Sequence, residues 1–153
     1  MKLKYVIVWA FTALLFACGG EAAKKEAPAE APAEKAAAET VDPMSNKGIG
    51  PISSVTLGDI DQAMVTKGET VFKAKCTACH KISKKFIGPS LKGITERRTP
   101  EWIMNMVMNP EEMIQKDPIA KQLLIEYNGA PMANQNITED EARALLEYFR
   151  TKN

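Results

Sequence analysis

The chain has 153 residues, a net charge of +1 and an ordinary share of charged residues, 25%. That is enough for one domain with accessory segments, and the balanced charge gives no bulk field that singles out nucleic acid or an acidic substrate. Three cysteines leave at least one with a separate job, and the single histidine, His80, excludes any site that needs two imidazoles from one chain.

In chain order, residues 1–17 have the layout of an export signal. Lys2 and Lys4 form a positive start, Tyr5 to Phe16 is an apolar run broken only by Thr12, and Ala17 is a small residue before Cys18. The run is shorter than the roughly 20 residues a helix needs to span a bilayer. Leu15-Phe16-Ala17-Cys18 resembles the lipobox of bacterial lipoproteins. The resemblance implies cleavage before Cys18 and acylation of its thiol and new amino terminus. Two or three acyl chains hold a protein stably on a membrane, where one does not. The protein is therefore expected to be exported, periplasm-facing and membrane-anchored.

Residues 18–53 read as that lipidated cysteine followed by a disordered tether. Its Ala, Glu, Lys and Pro content offers no large apolar residue before Val41, too little to offset the entropy of ordering. Pro28 and Pro32 interrupt any helical turns. About 35 such residues span roughly 30–35 Å.

Residues 54–153 read as the folded domain, and as helix. Asp59 or Asp61 can cap a first helix running to about Lys75, with Val65, Gly68, Phe72 and Cys76 on one stripe. Residues 86–93 form a loop by their glycines and proline. Thr99-Pro100-Glu101 starts a second helix that stops before Pro110, and Asp117-Pro118 starts a third. The stretch 128–132 breaks it. Thr138 and Glu141 form a capping box for the last helix, whose Ala142, Leu145, Leu146 and Phe149 recur at i, i+3, i+4, i+7. No alternating strand pattern or internal repeat is visible. The class is all-α, with four or so helices and a core thin enough to suggest a cofactor in its middle.

Cys76-Thr77-Ala78-Cys79-His80 carries the chemistry. Two cysteines three apart on a helical turn can each bond one vinyl group of one porphyrin, with the adjacent imidazole beneath the iron; this is the attachment signature of covalent haem. A thioredoxin-like redox pair would need alternating strands and helices. A structural zinc site would need a fourth ligand that the exported domain lacks, and a disulfide closing so small a loop stabilises little. A low-spin haem also needs a second axial ligand. With no second histidine, a methionine thioether is the natural one. Met64, Met104, Met106, Met108, Met113 and Met132 are available. Methionine at helical spacing is more often core filler than ligand, whereas Met132 lies in a Gly-Pro loop before the last helix; Met113 is the next choice.

Residues 59–152 resemble class I cytochromes c. The stretch Gly68 to His80 looks like that family's first helix with its haem motif, Gly88 to Gly93 like its following loop, and Leu145, Tyr148 and Phe149 like its closing helix. The resemblance implies that these two helices cross, with Gly68 against Tyr148 or Phe149. It implies haem held through Cys76 and Cys79, and His80 and Met132 as axial ligands. It also implies that the Pro89 carbonyl accepts from the His80 ring. Arg98 and Trp102 are candidates to hold a haem propionate, with Tyr127 similarly placed.

With both axial positions filled by protein, the iron cannot readily bind substrate. The expected function is therefore one-electron carriage rather than catalysis, without a small-molecule substrate. A haem sensor or enzyme with an open sixth site is the alternative, and a fixed subunit of a larger redox complex is a third. Residues 67–98 hold nine Lys or Arg against Glu69 and Glu96, while residues 99–153 hold five basic against nine acidic. A basic rim is expected to steer the haem edge onto an acidic redox partner.

Overall fold

Each long helix begins where a side chain can accept from N–H groups that the first turn leaves free. The computed structural model describes residues 41–153; the export signal, Cys18 and most of the expected tether lie outside the described residues. Helix α1 (Gln62–Lys75) is capped by Asp61, which accepts from the N–H groups of Ala63 and Met64. Helix α2 (Pro100–Met108) is capped by Thr99 through the Trp102 N–H at 3.1 Å. Helix α3 spans Pro110–Lys116. Helix α4 (Pro118–Glu126) is capped by Asp117 through the Ala120 N–H at 2.8 Å. Helix α5 (Glu139–Arg150) has both halves of the Thr138–Glu141 capping box. A short 3₁₀ turn, Ile94–Glu96, precedes α2.

The all-α expectation holds, with five helices among the described residues where four or so are expected. The additional one, α3, follows α2 after the single residue Asn109. Proline needs no N–H acceptor at a first helical position, so Pro110 both stops α2 and starts α3. The fully buried Met113 pins the new turn. No helix among the described residues is long and apolar enough to cross a membrane.

Helices α1 and α5 cross at Gly68. A methyl group there would run into the Ala144 carbonyl oxygen and come within 2.9 Å of the Tyr148 Cβ. Only the absence of a Cβ lets the two backbones approach this closely. Phe72 then packs on Tyr148 and Phe149, with ring centroids 5.5 and 6.0 Å away. Leu145 and Leu146 are wholly buried beside them, and burying each stabilises by about 1.5–3 kcal/mol. Glu147, also fully buried, is neutralised by Arg143 and Arg150.

The folded domain begins earlier than residue 54. Residues 46–55, read from sequence as the end of the tether and the approach to α1, lie as a strap across α2, α3 and the start of α4. Asn105, 1% exposed, donates to the carbonyls of Lys47 and Ile52 and accepts from the Ile52 N–H, all at 2.9 Å. Asn46 donates to Asp117, and its own carbonyl accepts from the Thr99 hydroxyl, each at 2.6 Å. The Ile49 N–H points at the Met113 Sδ, 2.9 Å away, and the Val55 N–H donates to Glu101. Ile52 is buried. A segment with few apolar residues is ordered here because distant side chains satisfy its backbone.

Candidate functional site

The end of α1 builds the first edge of the site. Cys76 closes the helix with its N–H on the Phe72 carbonyl, and its own carbonyl then accepts from Cys79 and His80 at 3.1 and 2.9 Å. This tight turn presents Cys76, half-buried, and Cys79, exposed, as free thiols. Burial pushes the Cys76 thiol up to about 11, against a smaller opposing pull from Lys75.

His80 is fixed by the loop that follows. Its Nδ1 lies 3.1 Å from the Pro89 carbonyl oxygen. A carbonyl only accepts, so Nδ1 carries the proton and Nε2 keeps its lone pair. Burial holds the ring below the usual imidazole value, with the Pro89 bond opposing in part; the ring is thus neutral at neutral pH. Gly88 allows the arrangement, since a Cβ there would sit 2.5 Å from the His80 Cε1. The loop is itself held by the Gly88 N–H on the Cys79 carbonyl at 2.9 Å and the Lys92 N–H on the Ile82 carbonyl at 2.7 Å.

Above the motif lies a partly open, mainly apolar cavity. Cys76, His80 and Pro89 line one side. Trp102, Ile103, Met106 and Val107 of α2 face it, with Ile114 of α3 and Ala120, Leu123 and Leu124 of α4. Met132 lines it as well, and a second recess opens on Cys76, His80 and Met132 and adds Cys79 and Ile87. Of the methionines weighed as ligands, only Met106 and Met132 reach the cavity. Met113 is packed away from it beneath Gly48 and Ile49, and Met104 belongs to the core.

Arg97, Arg98 and Tyr127 bring polarity to the apolar wall. The Arg98 Nε is buried without a hydrogen-bond partner among the described residues. Burial lowers the pKa of that guanidinium, as does Arg97, while Asp117 and Glu126 oppose the shift. An orphaned cationic donor in an apolar cavity fits a ligand that brings its own carboxylate. The expectation for Trp102 needs correction. Its one N–H donates to Asp117 at 3.1 Å rather than into the cavity, and Arg98 lies over its ring at 5.2 Å. Trp102 is wall, because a buried acid had already claimed its only donor.

An apolar cavity edged by two thiols, a neutral imidazole with a free Nε2 and a partnerless arginine Nε fits a flat apolar macrocycle bearing anionic arms. The cytochrome c family model matches residues 65–152. The chain belongs to the cytochrome c family. With that membership come one covalently bound c-type haem and the work of a one-electron carrier. Among solved structures the chain is similar to a cytochrome c from Rhodothermus marinus, with 48% identity and a TM-score of 0.65, covering 67% of this chain and 88% of that one. Among characterised proteins it is similar to cytochrome c-551 of Ectopseudomonas mendocina, 29% identical over 85 residues, which is 55% of this chain and 95% of the relative. Cytochrome c-551 of Stutzerimonas stutzeri is 30% identical over 91 residues, covering 56% and 77%.

Three features escaped the sequence reading. Gly88 was visible only as a loop glycine, not as the seat of the imidazole. Met106 was read as core, yet it lines the cavity. Asp117 reads from sequence only as a helix cap, because an Asp-Pro start gives no sign of contacts to Trp102 and Asn46.

Proposed function

We propose that this cytochrome is a periplasmic carrier, held on a membrane by an acylated Cys18 and ligating its haem iron through His80 and Met132. The observation that carries the axial assignment is the His80–Pro89 hydrogen bond, which leaves Nε2 unprotonated in a cavity that Met132 also lines. Bound there, haem supplies an iron that alternates between ferric and ferrous by gain or loss of one electron. The chain's residues do the rest. Cys76 and Cys79 fix the macrocycle as thioethers. Pro89 orients the imidazole and increases its basicity. The α2–α4 wall excludes water, and Arg98 is placed to meet a propionate.

The optical spectrum of the matured protein tests this. A low-spin spectrum with a weak sulfur-to-iron band in the red, lost in Met132→Ala, is expected. Retention of the band in that variant moves the ligand to another thioether, with Met106 next in the cavity. A high-spin ferrous form that binds carbon monoxide rapidly would instead point to an open sixth site. The anchor is tested separately, through the mass of the mature amino terminus and membrane partition of Cys18→Ser.

The partner is an acidic redox protein. From Thr70 to Thr95 there are six lysines and no acid. Lys73 pairs with Glu69 at 2.8 Å and Lys75 with Glu141 at 2.9 Å, whereas Lys81, Lys84, Lys85 and Lys92 meet no carboxylate among the described residues. Phe86 and Ile87, 50% and 51% exposed, stand among them. An apolar centre ringed by unneutralised lysines suits a carboxylate-rimmed partner surface. Electron transfer to that partner is expected to slow as salt rises. A rate independent of ionic strength would refute the docking surface.

A further inference from the structure

Asp117 does more than cap α4. It is 1% exposed and is the only buried aspartate among the five in the chain. Its carboxylate has three hydrogen-bond partners. Oδ1 accepts from the Ala120 N–H at 2.8 Å and from the Trp102 Nε1–H at 3.1 Å, and Oδ2 accepts from Asn46 Nδ2 at 2.6 Å. All three partners are donors, so each contact uses the carboxylate as an acceptor. Among the described residues, no lysine or arginine lies within ion-pair distance of it. Two of the three donors belong to residues that line the cavity, Trp102 and Ala120. The third comes from the strap.

We propose that Asp117 is a tuning residue: a buried, unpaired anion, one side-chain layer behind the cavity wall, whose field lowers the reduction potential of the haem. This rests on the cavity holding the family's haem. An electron arriving in the cavity meets the repulsion of a negative charge that is buried from bulk water and has no cation at ion-pair distance among the described residues. Such repulsion reaches farther in a protein interior than in solvent. Arg97 and Arg98, also on the cavity wall, act in the opposite sense, so Asp117 sets the balance rather than acting alone. Asn46 completes the donor cage. The strap is thereby part of the device, and the start of the folded domain is tied to the redox centre.

The test is a potentiometric titration of the full matured protein, following its haem spectrum. Asp117→Asn and Asp117→Ser both remove the charge and keep a residue that can cap α4. Asn46→Ala keeps the charge and removes one donor. Both Asp117 variants are expected to shift the one-electron equilibrium about tenfold toward the reduced form, which is 59 mV. The shift is expected to persist at high salt, because a buried charge is poorly screened. Asn46→Ala is expected to move the potential by less than a third as much. Unchanged potentials in both Asp117 variants with a normal haem spectrum would overturn the proposal. So would an equal shift in Asn46→Ala, which would mean repacking rather than charge. A wild-type protein lacking a c-type haem spectrum would instead sink the reading of the site itself. Should neither Asp117 variant mature, the redox-difference infrared spectrum of the wild type with ¹³C-aspartate decides. A carboxylate band that moves on reduction supports the assignment, and none overturns it.

Discussion

Replacing Gly88 with alanine is the most direct probe of how the proximal imidazole is seated. The new methyl would stand 2.5 Å from His80 Cε1, 2.9 Å from Nδ1 and 3.0 Å from Nε2. All three lie well inside the roughly 3.5–4.0 Å separation of non-bonded carbons, so the ring or the loop must move by several tenths of an ångström to about 1 Å. The ring cannot retreat without stretching its 3.1 Å bond to Pro89. The loop cannot retreat without loosening the Gly88 N–H bond to Cys79. Overpacking costs about 1–3 kcal/mol, and a weakened hydrogen bond adds about 0.5–1.5 kcal/mol. Against this, the loss of glycine's freedom in the unfolded chain returns about 0.4–1 kcal/mol. The net expectation is a loss of about 1–3 kcal/mol in denaturant unfolding of the haem-loaded protein, with a shifted absorption spectrum because the imidazole is tilted. A variant as stable as wild type, within about 0.5 kcal/mol, and with an unaltered spectrum, would show that the ring does not lie against Gly88.

Gly68→Ala should be more damaging, because the obstacle is the Ala144 backbone carbonyl rather than a side chain that can rotate. We expect a loss of at least about 2 kcal/mol in equilibrium unfolding, despite alanine's higher helix propensity of about 1 kcal/mol. Asn105→Ala strips the strap of three hydrogen bonds. Amide exchange at residues 47–53 should accelerate while α1 and α5 stay protected, at a cost of about 1–3 kcal/mol; unchanged exchange in the strap would contradict this. Glu141 is held below the usual carboxylate value of 4.5, first by the Thr138 N–H and then by Lys75. A depressed folded value means that its stabilisation is present above 4.5 and is lost as the pH falls through that lower value. Glu141→Gln should therefore destabilise the protein near neutral pH and narrow its gap to wild type in acid. A gap constant with pH would show that the carboxylate's charge contributes nothing.

Helix starts were legible because capping is local. Asp61, Thr99, Asp117 and Thr138 each satisfy N–H groups two or three residues away, and that information is contained in a few consecutive letters. The haem motif was legible for the same reason, since both thiols and the imidazole lie within one turn. The single histidine narrowed the sixth ligand by count alone. Helix α3 was not legible, because Pro110 reads equally as a stop or a start and only the burial of Met113 decides.

What the sequence determined by itself was therefore the short-range chemistry: an all-α class, the positions of four helices, and the covalent-haem signature Cys76 to His80. Tertiary structure decided everything that depends on residues distant in the chain. It folded the strap onto the domain, because Asn105 and Asp117 lie 53 and 71 residues from Ile52 and Asn46. It neutralised Lys73 and Lys75 but gave the lysines of residues 81–92 no carboxylate among the described residues. It turned Trp102 from a propionate donor into wall, by giving its single N–H to an acid whose burial no local pattern announces. Hydrogen bonds and charges act through space, and only folding sets which groups come within their reach.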